Sequence, residues 1–269
     1  MKKLFVIIGV PRSGTTFIYN NFQNIPEVNL LQKENHFFLT KETYINPENI
    51  FNLERYNAFN IDKHKNSISE KKINIDINTL YFYDIDSLKN IKKIYKENVH
   101  FVCILRDPKK RFISHTETLI KKISLLVNGK GYFINNSMSY SKILDEILKE
   151  EFFNYSNYKK YIDLIRSNGI KVDYYCYEKL FSNSENLKNF YRSFGVNPKI
   201  NTFKKTHDSK NYPIKSYISK SNLFGLIKFL ITLFKIKRLI LKLRSKRFYN
   251  LIKNNMKEFS DYYSKIDFI

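Results

Sequence analysis

The sequence predicts an α/β fold in which a central parallel sheet is flanked by helices. Three observations predict it. Short runs at residues 4–8, 99–105 and 172–177 are almost continuously apolar and rich in β-branched and aromatic residues, the pattern of strands covered on both faces. Each run leads into a turn and then into helical periodicity, an alternation that belongs to parallel sheets rather than hairpins. With 269 residues, 43% of them hydrophobic and 16% aromatic, the chain can build one sizeable core.

The elements follow in order. Leu4 to Ile8 is the first strand, and the Gly/Pro/Ser turn after it opens a helix over residues 15–24, with Phe17, Ile18 and Phe22 facing the sheet. Residues 40–75 read as polar and irregular, and residues 73–83 as a further strand. The run VHFVCIL at 99–105 is the second strong strand, and Pro108 suits the first turn of the helix after it. Residues 141–167 carry helical periodicity ending at Gly169. A strand at 172–177 and a helix at 185–194 closed by Gly195 complete the series.

The whole chain reads as one domain, with a core over residues 1–213 and a basic helical extension over 214–269. Between Ser209 and Lys257 there are 13 Lys and Arg and no acidic residue. Leu223 to Leu243 is apolar but studded with cations, so it suits either helices packed on the core with snorkelling lysine stems or an element lying on an anionic membrane surface. No uncharged apolar run reaches 18 residues, so no transmembrane helix is expected. The short N-terminal run lacks a cleavage site and reads as a strand, not a leader. Two cysteines, each inside an apolar run, read as buried thiols of a reducing compartment, and a cytoplasmic location is expected, with the inner membrane surface as a further place of contact.

The net charge of +22 favours anionic partners. Where the anion sits is indicated by Gly9 to Thr16, GVPRSGTT. Strand, G-x-x-x-x-G, then helix is the P-loop-like layout that aims backbone N–H groups and a helix N-terminus at phosphate oxygens. The lysine that normally follows the second glycine is replaced by Thr15, and the cation stands inside the turn as Arg12. Arg12 can fork onto a phosphate or sulfate oxygen, and Ser13, Thr15 and Thr16 add hydroxyl donors.

A second cationic segment, LRDPKKRFIS, runs from Leu105 to Ser114. Arg106 at a strand end and Ser114 two helical turns on can converge on one phosphate, Asp107 can cap the helix, and Arg111 orients or buttresses it. A nucleotide with a separate 3′-phosphate needs such a second pocket. The segment Lys33 to Phe38, KENHFF, offers Glu34 and His36 as candidates to remove a proton from an acceptor.

Together these segments resemble the sulfotransferases that use 3′-phosphoadenosine 5′-phosphosulfate. GVPRSGTT, with Pro11, Arg12, Ser13, Gly14, Thr15 and Thr16, is similar to the family's 5′-phosphosulfate loop. LRDPKKRFIS is similar to its 3′-phosphate element, which implies that Arg106 and Ser114 bind that phosphate. KENHFF resembles an element of the carbohydrate-modifying branch, which implies that Glu34 is the general base and Lys33 its neighbour, with His36 second.

The segment DINTLYF at 76–82 resembles another element of that branch but carries Ile77 where a catalytic lysine often stands; Arg12 or Lys33 can substitute, and Asn78 and Tyr81 are expected along the cleft. Tyr177 to Leu180 resembles a structural strand end. The stretch 206–213 resembles a loop that closes over the nucleotide, which implies a contact from Lys210.

The resemblance implies sulfuryl transfer from that donor, without a metal, to a hydroxyl or amine of an acceptor such as a saccharide or glycolipid. Two other classes remain open: a kinase or NTPase with an altered phosphate loop, and a non-catalytic anion or membrane binder. No recognised nucleic-acid-binding motif is present, and no nucleic-acid partner is expected.

Overall fold

The structure, a computed structural model, describes residues 3–34, 37–40, 61–70, 72–116, 118, 155–197 and 256–269. In chain order these hold β1 (Leu4–Gly9), α1 (Thr15–Phe22), β2 (Val28–Leu30), α2 (Ile61–Ser67), β3 (Ile73–Ile77), α3 (Ile85–Tyr95) and β4 (Val99–Leu105). They continue with α4 (residues 108–116), α5 (Tyr158–Ser167), β5 (Val172–Cys176), α6 (Tyr177–Leu180), α7 (Ser184–Ser193) and α8 (Lys257–Ser264). The five strands form one sheet in the order β2-β3-β1-β4-β5, and every pairing is parallel.

The strands are apolar at successive positions because each face of the sheet has its own helical cover. Leu4, Val6, Ile8, Phe101, Cys103 and Leu105 point to one side, against Leu88, Ile91 and Tyr95 of α3 and Tyr158, Ile162 and Ile165 of α5. The intervening residues Phe5, Ile7, Val102 and Ile104 point to the other, against Ile18 and Phe22 of α1 and Leu187, Phe190 and Tyr191 of α7. The period of two within each strand thus sorts one run of apolar residues into two cores.

Several local expectations change. The helix after the first turn stops at Phe22, and the strand expected over 73–83 stops at Ile77, where Asn78 leaves the ladder and a 3₁₀ turn follows at Tyr81–Tyr83. The region expected to be irregular contains α2, in which the side chain of His64 is fully buried. Its Nδ1 lies 2.8 Å from the Tyr95 hydroxyl and its Nε2 3.6 Å from Asp76. Helix α3 is capped by Asp84, which accepts from the N–H groups of Asp86 and Ser87 and also holds the backbone and hydroxyl of Thr40.

Of the helix expected over 141–167, the part described begins at Tyr158, behind the Asn157 cap; residues 141–154 lie outside the described residues. Gly169 and Gly195 follow α5 and α7 with positive φ, as helix-ending glycines should. Most of the basic stretch, residues 198–255, also lies outside them. The described end of the chain is helix α8, which packs on the core: Tyr262 and Tyr263 lie against the first cluster, and the Ile269 N–H donates to the Tyr174 carbonyl at 3.0 Å. No helix among the described residues is long and apolar enough to cross a membrane.

Candidate active site at the carboxyl ends of β1 and β4

The connection leaving β1 runs toward β2 on one side, and the connection leaving β4 runs toward β5 on the other. The neighbouring carboxyl ends of β1 and β4 therefore flank a topological switch point, the place where open α/β sheets leave a crevice for ligand. Both cationic segments lie there. The register of β1 on β4 slips at this point, with Ile7 opposite Val102 but Gly9 opposite Cys103, a bulge that turns the chain out of the sheet. A Cβ on Gly9 would come within 2.8 Å of the Phe82 Cβ.

The turn after β1 is shaped by its backbone. Arg12 (φ 73) and Gly14 (φ 77) both adopt the left-handed region. Gly14 precedes α1 and has a second reason to be glycine, since a Cβ there would lie 2.5 Å from Cζ of Phe181. Ser13 and Thr15 are buried, Thr16 is half-buried, and Pro11 and Val10 are packed beneath them.

The two segments meet directly. Arg12 Nε donates to Ser114 Oγ at 3.3 Å, and an Arg106 terminal nitrogen donates to the Arg12 carbonyl at 2.9 Å. The Arg106 guanidinium lies 4.7 Å from the Tyr177 ring centre, a cation–π contact. Asp107 caps α4 by accepting from the Lys110 N–H at 2.9 Å, the role expected of it. Arg111 is fully buried and donates to Ser156 Oγ at 2.9 Å, so it holds the helix against residues before α5 rather than facing the crevice.

Two polar atoms remain at this crevice that are buried and without a hydrogen-bond partner among the described residues: Ser13 Oγ and Arg106 Nε. Buried donors of this kind are costly unless a ligand satisfies them. Donors, guanidinium groups and a helix N-terminus gathered in one place fit the oxygens of an anionic group such as a phosphate or sulfate.

Glu34 reaches the same end of the sheet by a different route. After β2 the chain runs beside β3, with the Leu31 N–H donating to the Ile75 carbonyl at 2.9 Å and the Glu34 N–H to the Ile77 carbonyl at 3.0 Å. Glu34 takes φ 53, and its carboxylate accepts from the Thr79 N–H at 3.1 Å and the Thr79 hydroxyl at 2.9 Å. Burial is the largest influence on this carboxyl and, with the buried Asp76 charge, raises its pKa above the ordinary carboxylate value, against the opposing pull of Lys33 and the Thr79 bonds. Lys33 Nζ donates to Thr16 Oγ1 at 2.6 Å, tying the Glu34 segment to the phosphate turn.

Backbone strain of the left-handed kind in non-glycine residues costs about 1–2 kcal/mol per residue. Among the described residues it occurs at Arg12, at Glu34 and at Lys96, the last where α3 ends. Two of the three are in the loops that meet at the crevice.

Ile77 is fully buried in the sheet, so no cation stands there. Asn78 and Tyr81, expected along the cleft, are fully buried instead: the chain turns inward after Ile77, Asn78 N–H donates to the Ile7 carbonyl at 3.0 Å, and the Tyr81 hydroxyl accepts from the Phe38 N–H. His36 and Lys210 lie outside the described residues. Thr79, which grips Glu34, and Tyr177, which underlies Arg106, carry no sequence signal for these contacts, since each is brought to its partner from a distant segment.

No protein-family model matches this sequence, and no curated protein does. Among solved structures the chain is similar to a sulfotransferase from Alicyclobacillus acidocaldarius, at 14% identity and a TM-score of 0.51, over 93% of this chain and 99% of that one. At that identity the likeness carries the fold: a parallel α/β architecture of the sulfotransferase type.

Proposed function

We propose that this protein is a sulfotransferase that moves a sulfuryl group from 3′-phosphoadenosine 5′-phosphosulfate to a hydroxyl or amine of a saccharide acceptor. The observation that carries the reading is the convergence at one crevice. Arg12 bridges to Ser114, Arg106 closes onto Arg12, and Lys33 brings the Glu34 segment onto Thr16.

In this reading the turn from Pro11 to Thr16 cradles the 5′-phosphosulfate, Arg106 and Ser114 take the 3′-phosphate, and Lys210 is assigned to the same phosphate by the resemblance alone. Glu34 removes the acceptor's proton while the acceptor oxygen or nitrogen bonds to sulfur. The bond from sulfur to the 5′-phosphate oxygen breaks and 3′,5′-adenosine bisphosphate leaves. A carboxyl whose pKa is raised is a stronger base once ionised, which suits this work. Arg12 and Lys33 supply the positive charge for the sulfuryl oxygens and the leaving oxygen, in place of the cation missing at Ile77. Positioning is the other large contribution.

The test is transfer of labelled sulfate from the donor to a glycan or lipid-extract panel, with Glu34→Gln and Arg12→Ala beside the wild type. Label on a saccharide that both variants fail to produce supports the reading. Full transfer by both overturns the site, and calorimetry showing ATP preferred over 3′,5′-adenosine bisphosphate overturns the donor. Contact of the basic stretch with an anionic membrane surface is a separate part of the proposal, and the absence of salt-dependent pelleting with anionic liposomes would remove it.

A further inference from the structure

The turn that carries Arg106 is held by residues far from it in sequence. β5 runs straight into α6, and this junction supplies two contacts: Tyr177 lies under the Arg106 guanidinium, and the Glu178 carboxylate accepts from the Asp107 N–H at 3.3 and 3.4 Å. Asp107 in turn caps α4, the helix on which Ser114 sits. Glu178 is itself gripped from the end of the chain, where the Tyr263 hydroxyl donates to it at 2.7 Å. The same hydroxyl stands 3.2 Å from Cys176 Sγ and 3.4 Å from the Leu105 carbonyl, the last residue of β4.

The Tyr263 ring lies against Tyr158, with centres 6.1 Å apart, and the Tyr158 hydroxyl donates to the Arg106 carbonyl at 2.7 Å. Burial, followed by the contacts with Cys176 and Glu178, pushes the Tyr263 pKa far above the ordinary tyrosine value, so its hydroxyl keeps its proton and stays a donor at any working pH.

We infer that Tyr263, in the C-terminal helix α8, is a positioning residue for the second anion pocket, acting through Glu178 on the Arg106–Asp107 turn and so on affinity for a 3′-phosphate. The inference rests on the proposed reading of Arg106 and Ser114. The hydrogen bond it invokes joins a hydroxyl to a carboxylate, whereas the other side chains on Glu178 hold it at longer range, Cys176 Sγ at 3.7 Å and Lys110 Nζ at 4.0 Å; without Tyr263 the carboxylate keeps only these weaker contacts and can release the Asp107 N–H. Helix α8 thereby becomes part of the nucleotide site although it touches no ligand.

Calorimetric titration tests this with two ligands that differ only in the 3′-phosphate, 3′,5′-adenosine bisphosphate and adenosine 5′-monophosphate. Tyr263→Phe removes one hydroxyl and keeps the ring contacts. Bisphosphate affinity is expected to fall about three- to tenfold, the equivalent of one hydrogen bond, with monophosphate affinity unchanged; Glu178→Gln, which keeps the shape of the side chain, is expected to act in the same direction. A general loosening of the fold would weaken both ligands alike, and that outcome overturns the inference, as does an unchanged preference in both variants. If the wild type does not distinguish the two ligands, the reading of Arg106 and Ser114 fails and the role of Tyr263 fails with it. If it does distinguish them and the variants do too, only the role of Tyr263 fails.

Discussion

The two turns that the proposed function assigns to anions stand side by side at the same end of the sheet and are built on opposite principles. The turn after β1 takes its shape mainly from its own backbone, from Gly9, Arg12 and Gly14, residues within six positions of one another, with Phe82 against Gly9 and Phe181 and Tyr177 against Gly14. The turn after β4 is held from a distance, by Tyr158 on the Arg106 carbonyl, Glu178 on the Asp107 N–H and Ser156 on Arg111. A loop whose geometry is stored in its own φ and ψ tolerates little change at its glycines. A loop stored in side-chain contacts fails gradually, as each contact is removed.

The largest effect expected is on chemistry at the edge of the first turn. Glu34→Gln should lower the transfer rate by about 10²–10⁴-fold, the usual value of a positioned base, as read in single-turnover assays. The same variant should not lose stability. Because burial raises the folded pKa of Glu34, its contribution to stability is fully present below the ordinary carboxylate value and is lost as pH rises through the raised one. At neutral pH Glu34→Gln, with no charge to bury, should therefore unfold at a temperature equal to or above that of the wild type, and any advantage should vanish in acid. A variant that is both inactive and clearly less stable at neutral pH would mean that Glu34 is a structural anchor.

Next comes the backbone of the first turn. Gly14→Ala meets both the left-handed penalty and the Phe181 ring, and should cost about 2–4 kcal/mol in urea denaturation, with loss of bisphosphate binding. An alanine tolerated there would erase the contrast between the two turns.

In the second turn a single contact should matter less. Tyr158→Phe should cost about 1 kcal/mol of stability and weaken bisphosphate binding while leaving it measurable. A loss as large as that of Gly14→Ala would show that the second turn is as brittle as the first.

The smallest effect is a shift in pH dependence. Lys33 opposes the rise in the Glu34 pKa, so Lys33→Met should move the acid limb of the activity profile to higher pH. Movement the other way would sever Lys33 from Glu34.

Amino-acid order alone determined what depends on neighbours in the chain. Four of the five strands, the parallel α/β class, the glycine turn after β1, the Asp107 cap and the glycines ending α5 and α7 could be read because apolar runs and turn residues act locally. The short edge strand β2 could not, since three residues carry no period. Helix α2 could not, since its buried His64 is polar and meets Tyr95 through a hydrogen bond and Asp76 at 3.6 Å, residues brought to it by α3 and β3. The inward turn of Asn78 and Tyr81 was hidden for the same reason.

Only the tertiary structure decided how the two turns share one crevice. The strand order places β4 beside β1 and sends their connections apart, so that Arg12 meets Ser114 across 102 positions of sequence. It also brought Thr79 to Glu34 and Tyr263 to Glu178. Such contacts follow from the packing of whole elements, and no spacing along the chain encodes them.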